Sequence, residues 1–233
     1  MAQRPIPFQI GEWFHCYNRG IDKRDVFNEE RDSERFMQLL YLSNDTRGYQ
    51  RSNITDRTTE EIVLYERANP LVSIGAYCLM QNHYHLLLKE TTEGGIVRFM
   101  QKLGTAYTMY FNKKNDRTGN LFMKPFRSRH VHEDTYFQRV VGYIHCNPAE
   151  RFESGWKKGV VGNMNKLEQV LRSYRYSSFP EYAGEKRQIG KILSRDGFDV
   201  YRNTSPRRML EGARAYYADI AIDDPNFYSP AAE

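Results

Sequence analysis

Leu71-Val72-Ser73-Ile74-Gly75-Ala76-Tyr77-Cys78-Leu79 runs directly into Met80-Gln81-Asn82-His83-Tyr84-His85-Leu86-Leu87-Leu88. Both halves are rich in β-branched, aromatic and other apolar residues, and Gln81-Asn82 is a short polar break between them. The pattern predicts two strands joined by a tight turn. Successive strand side chains alternate faces, so His83 and His85 point one way and Tyr84 the other. At the strand rise the two imidazoles are about 6–7 Å apart along the backbone. That spacing suits two ligands converging on one metal ion. It equally suits two histidines on a half-exposed sheet face, and the triplet alone does not choose between them.

Upstream, Glu12-Trp13-Phe14-His15-Cys16-Tyr17-Asn18 reads as a first strand ended by Asn18-Arg19-Gly20. Asp32 or Ser33 then opens a helix whose apolar positions are Phe36, Met37, Leu39, Leu40 and Leu42. Residues 44–69 are polar, with a short helix near 60–66, and read as an excursion rather than core; Pro70 closes it. Downstream, Gly94-Gly95 precedes an amphipathic helix over 96–112, carried by Ile96, Phe99, Met100, Leu103, Tyr107 and Tyr110-Phe111. A turn at 117–120 leads to a fourth strand at 126–132. Glu133-Asp134-Thr135 caps a last helix, which ends near Asn147 because Pro148 disfavours helical geometry in the residue before it.

The order β-α-β-β-α-β-α, with one hairpin at its centre, predicts an α+β fold. The plan is a ferredoxin-like split βαβ with a central antiparallel sheet and helices on one face. Beyond residue 150 the pattern weakens to a helix at 167–174, a loop at 175–180 and one or two short helices over 184–233. Residues 1–180 are expected to form one domain. Residues 181–233 would be a helical C-terminal extension that touches DNA through Arg207 and Arg208.

Composition narrows the function classes. Of 233 residues, 40% are hydrophobic and 27% charged, a globular profile. No apolar run approaches the roughly 20 residues of a membrane span, and the N-terminus lacks the apolar core of a signal peptide. Cys16, Cys78 and Cys146 are too scattered for a disulfide framework or a zinc knuckle, so a cytoplasmic setting is expected. Net charge is +5, yet the segment from Arg98 to Arg129 holds eight basic residues against Asp116 alone, +7, which leaves −2 for the rest. Phe99, Tyr107, Tyr110, Phe111, Phe122 and Phe126 interleave with these charges. A basic-aromatic segment is the footprint of nucleic acid, single strands above all. Candidate contacts are Lys102, Arg117, Lys124, Arg127 and Arg129, joined by Asn18 and Arg19.

The last helix carries Tyr143 and Asn147 at i, i+4, on one face. Packed across the sheet, that face would meet His83 and His85. Asn147 would give a third, oxygen ligand and Tyr143 would sit one turn away. Two imidazoles and one amide oxygen leave positions open for phosphate and water, which favours Mg²⁺ or Mn²⁺ over structural zinc. Tyr143 would then attack a phosphodiester, although a free phenol titrates near 10 and no general base is evident. His145 is a rival ligand, but at i+2 from Tyr143 it should face elsewhere. With 17 tyrosines in the chain, a packed aromatic is the alternative reading of Tyr143.

His83-Tyr84-His85 is similar to an HUH motif, and the chain from Trp13 to about Phe179 resembles the single-tyrosine HUH transposases, REP-associated tyrosine transposases above all. Supporting stretches are Phe14-His15-Cys16-Tyr17-Asn18-Arg19-Gly20, the 79–88 hairpin, Arg117-Thr118-Gly119-Asn120-Leu121-Phe122, Tyr143-Ile144-His145-Cys146-Asn147-Pro148 and Tyr174-Arg175-Tyr176-Ser177-Ser178-Phe179. The resemblance implies His83, His85 and Asn147 as ligands of a divalent ion and Tyr143 as nucleophile. It implies cleavage and rejoining of single-stranded DNA through a 5′-phosphotyrosine, on a short imperfect hairpin with a nearby single-stranded recognition tetranucleotide; a monomer or homodimer is expected. Gln81 departs from the family's usual proline, and the 44–69 excursion is long for it. Two other readings of the same parts are a silent DNA- or RNA-hairpin-binding regulator and a metal-dependent hydrolase using water.

Overall fold

The computed structural model describes residues 6–49, 56–156, 161–199 and 205–213. The middle of the 44–69 segment and much of 181–233, including any helix beyond 213, lie outside these residues. Four strands, β1 (Trp13–Arg19), β2 (Val72–Met80), β3 (His83–Glu90) and β4 (Arg127–Val131), form one sheet in the order β2-β3-β1-β4. All three pairings are antiparallel. α1 (Glu30–Leu42) and the short α2 (Thr59–Ile62) link β1 to β2, and α3 (Gly95–Lys114) links β3 to β4. α4 (Asp134–Cys146), α5 (Met164–Ser173), α6 (Phe179–Tyr182) and α7 (Arg195–Asp199) follow. This is the expected α+β plan, with the β2–β3 hairpin intact and β1 inserted between β3 and β4.

Strand alternation sorts the core. Phe14, Cys16, Tyr84, Leu86 and Leu88 join Phe36 and Leu40 of α1 and Phe99, Leu103 and Tyr107 of α3. Ala76, Cys78, Met80 and Leu87 join Val140, Tyr143 and Ile144 of α4 with Leu167 and Leu171 of α5. The expectation of helices on one face therefore holds only for the two crossover helices; α4 and α5 cover the other. The cause lies in β2, which is buried at almost every position, and a strand apolar on both faces must be covered on both.

Two local details differ from the sequence reading. α1 starts at Glu30, earlier than Asp32 or Ser33, because Glu29 and Asp32 form a reciprocal capping box. The buried Asp32 carboxylate accepts from the amides of Asn28 and Glu29, at 3.0 and 3.2 Å, and from Lys114 at 2.7 Å and the Tyr110 hydroxyl at 2.9 Å. It thereby ties the start of α1 to the end of α3. The 44–69 segment is also more than an excursion, since Ile62 and Val63 are buried in the core. The chain beyond 174 covers the outer edge of β2: Tyr176 O accepts from Leu79 N, Ser178 brackets Tyr77 and Ser194 brackets Ile74.

Glycines make the packing around α3 testable. Buried Glu90 accepts from Ile96 N at 3.0 Å and caps the helix, while a methyl group on Gly95 would overlap the Leu71 carbonyl oxygen. Gly104, mid-helix, has nothing within 4 Å of where a Cβ would stand. Gly95→Ala should cost about 1–3 kcal/mol by overpacking, whereas Gly104→Ala should stabilise by up to about 1 kcal/mol. Urea denaturation midpoints of the two variants should move in opposite directions. Equal shifts would refute the difference in packing.

Candidate active site

Paired residues of an antiparallel ladder share a face. β1 aligns Arg19 with His83 and Tyr17 with His85 on one side, and His15 with Arg129 and Tyr17 with Arg127 on the other. His83, His85, His15, Tyr17, Arg19, Arg127 and Arg129 thus occupy the sheet face opposite α1 and α3. α4 lies across part of this face. It runs to Cys146, and Asn147 keeps helical angles (φ −53°, ψ −41°) as it opens a 3-10 turn with Pro148. The i, i+4 relation of Tyr143 and Asn147 is therefore preserved past the helix end.

The four expected site residues converge. The His83 and His85 rings are 5.0 Å apart at 90°, and the Tyr143 ring stands 5.2 Å from that of His85. Asn147 Oδ1 is 3.4 Å from His83 Nε2. His145 turns away, to a 2.7 Å hydrogen bond with Ser178 Oγ.

Two neighbours that the sequence reading missed orient the histidines. Asn82 Oδ1 lies 2.7 Å from His83 Nδ1, and His15 Nε2 lies 2.9 Å from His85 Nδ1. With Nδ1–H donating in each case, both Nε2 atoms are left as acceptors. This is the arrangement that outer hydrogen bonds impose on ligating histidines. The signal for His15 was present, since strand alternation puts it on one face with Tyr17 and Arg19. The β1–β3 register that brings it to His85 is not local information.

The donor set fits a divalent ion of the Mg²⁺ or Mn²⁺ type. Two imidazole nitrogens and an amide oxygen converge with further coordination positions left over. The Asn147 amide nitrogen is buried with no hydrogen-bond partner among the described residues. Among the described residues no three His, Cys, Asp or Glu side chains gather as a metal group. Tyr143 is fully buried, packed against His85 and His15.

The candidate DNA contacts divide. Arg19, Arg127 and Arg129 share the histidine face, where Arg129 also lies over the Tyr136 ring. Asn18 and Lys124 line a cleft on the opposite face. Lys102 is held by the carbonyls of Asp45 and Arg47, and Arg117 by Asn112 and Asn120. Arg207 and Arg208 are exposed on the helical turn at 206–213, with Arg207 facing Glu211.

Burial sets the protonation of two histidines. His15, next to Arg129, and His145, next to Arg187, are each lowered from 6.5 to about 3, chiefly by desolvation and then by the neighbouring guanidinium. Below 6.5 the unfolded chain binds protons at both rings, while the folded protein refuses them until about 3. Stability should therefore fall as pH drops through that window. Urea midpoints at pH 7 and pH 5 should show the loss, and His145→Asn should flatten it. A midpoint unchanged between the two pH values would contradict neutral burial.

A family model described as "Transposase IS200 like" matches residues 13–147, from the first residue of β1 through Asn147. No curated protein matches the chain. Among solved structures, one described as a REP-associated tyrosine transposase bound to a REP hairpin is 12% identical, with 79% of this chain and 87% of that chain covered and a TM-score of 0.47. Among the described residues no helix is long and apolar enough to cross a membrane.

Proposed function

Since this chain belongs to the IS200-like transposase family, we propose that it cuts and rejoins single-stranded DNA flanking a hairpin at the site built from His83, His85, Asn147 and Tyr143. One observation carries the reading. Asn147 Oδ1 and the Tyr143 ring, one helical turn apart, meet the two Nε2-presenting histidines on a basic sheet face. A divalent ion held by His83, His85 and Asn147 would polarise the phosphodiester and offset the charge developing on it.

The protein's own residues do the rest. Arg19, Arg127 and Arg129 offer guanidinium donors to backbone phosphates on the same face. Tyr143 Oη forms a bond to phosphorus and the P–O3′ bond breaks. The phenolic proton passes to solvent, and the leaving oxygen, once protonated, is a free 3′-OH. The protein is left with a 5′-phosphotyrosine, which a 3′-OH reverses to rejoin strands. This splits one displacement into two, the logic of covalent catalysis. Because Tyr143 is buried, substrate binding must part α4 from the sheet before attack.

The test is a library of labelled single-stranded hairpin oligonucleotides incubated with the protein and Mn²⁺, then run on a denaturing protein gel. A labelled band at protein size, lost with chelator, is expected. Cut DNA without that band would replace the reading by hydrolysis. The burial of Tyr143 favours a second reading, a hairpin-binding regulator without turnover. DNA that shifts on a native gel but is never cut would establish it.

A further inference from the structure

The chain beyond 174, which covers the outer edge of β2, also builds a pocket there. Ser194 N donates to Ile74 O at 2.9 Å and Gly197 packs against Gly75, so residues 193–198 lie beside the first half of β2. Between this stretch, Tyr41 at the end of α1 and Arg67 of the 44–69 segment is a cavity of about 550 Å³. Met80, the partner of His83, stands six residues beyond Ile74, about 20 Å at the strand rise. Pocket and histidine site are thus separate places.

Two observations bear on what the pocket holds. The first is charge. Arg67, Lys186, Arg187, Lys191 and Arg195 line it, and no aspartate or glutamate does. Arg187 is paired with Glu181, Nη2 to Oε2 at 2.5 Å. The other four make no ion pair among the described residues, and Asp45 acts on Arg67 only from beyond ion-pair distance. A concave surface of one sign focuses a field that draws in anions.

The second is Arg67 itself. Its guanidinium lies over the Tyr41 ring, 4.1 Å from the centroid, and Nη2 donates to Lys191 O at 3.2 Å. Nη1 is buried and has no hydrogen-bond partner among the described residues. Burial lowers the group's pKa, and Tyr41 and Asp45 only partly offset that. A buried charged donor is costly unless an acceptor meets it, and in a pocket that no acid lines the acceptor that suits it is an anionic ligand.

Size and walls indicate the class. Hollows of several hundred Å³ are the scale of small-ligand sites, and these cations converge on one hollow instead of tracking a groove. Phe198, stacked on Tyr182 at 4.5 Å, adds an aromatic wall. Guanidinium groups pair with phosphate oxygens, lysines supply point charge, and an aromatic ring suits a base.

We infer that this pocket binds a free nucleoside polyphosphate, its phosphates held by Arg67, Lys186, Lys191 and Arg195 and its base against Phe198. The site is additional to the one proposed for DNA and does not depend on that reading.

Equilibrium dialysis of the full chain with labelled ATP and labelled GTP tests it, in chelator so that no ion bridges nucleotide and histidines. At least one should bind the wild type. Arg67→Gln and Lys186→Glu should each weaken that binding about tenfold or more, the scale of one charge-assisted hydrogen bond. Lys186 is exposed, so Lys186→Glu keeps the test valid if Arg67→Gln fails to fold. Inorganic triphosphate should compete more weakly than unlabelled nucleotide, and a hairpin oligonucleotide should not compete. Binding of neither nucleotide, or undiminished binding by Lys186→Glu, would overturn the inference. So would equal competition by triphosphate, which makes the pocket a site for bare phosphate, or displacement by hairpin DNA, which assigns it to the DNA backbone. Covalent attachment of hairpin DNA should be the same in wild type and Lys186→Glu; its absence from both would remove the cleavage reading alone.

Discussion

Tyr143→Phe should abolish covalent attachment of DNA and reduce strand cleavage by roughly 10⁴-fold or more, the scale of losing a nucleophile. The substitution removes one oxygen and keeps the ring, so the contacts with His85 and His15 at 5.2 and 5.6 Å persist. Stability should change by only about 1 kcal/mol, the worth of one hydroxyl's hydrogen bonding. The pairing of a large chemical effect with a small structural one makes the experiment decisive. Labelled hairpin DNA and Mn²⁺ are incubated with each protein, adducts are read on a denaturing gel, and thermal melts are run alongside. A persistent adduct would move the nucleophile to another tyrosine. Undiminished cleavage without adduct in either protein would mean water attacks instead.

His85→Ala should lower Mn²⁺ affinity at least 100-fold, above the roughly 10–100-fold that loss of an outer hydrogen-bonding partner typically costs. It removes the ligand nitrogen proposed for the ion and leaves His15 Nε2 without the ring it meets at 2.9 Å. His15→Ala should fall inside the 10–100-fold range, because the ligand remains but its tautomer and tilt are no longer held. Calorimetric titration of Mn²⁺ into each protein separates the two, and it reads binding rather than turnover. An unchanged affinity in His85→Ala would eliminate the metal role. Equal losses in the two variants would make His15 a ligand itself. Cleavage by His85→Ala should fall with the affinity, since the ion's charge and the orientation of the phosphate are lost together.

Much of this molecule was legible in the chain, and the reasons are specific. The hairpin at 71–88 could be read because apolar runs flank a two-residue polar turn, and period-2 geometry put His83 and His85 on one face. Tyr143 and Asn147 could be paired because a helix repeats every 3.6 residues, and Pro148 marked where it ends. The start of α1 was misplaced because a carboxylate at the third helical position of a capping box looks, in one dimension, like an N-cap. Ile62 and Val63 were missed because two apolar residues in a polar stretch show no period.

These successes share one physical origin. Strand alternation, helical repeat and proline's clash with the preceding residue are consequences of local backbone geometry, so a sequence alone determines them. What only the tertiary structure decided depends on contacts far apart in the chain. It set His15 against His85, put α4 across the face opposite α1 and α3, and divided the basic residues between the site and the cleft. Register and the choice of face are settled by which arrangement buries both sides of β2 and satisfies the polar groups between the layers. That balance exists only once the whole sheet is assembled.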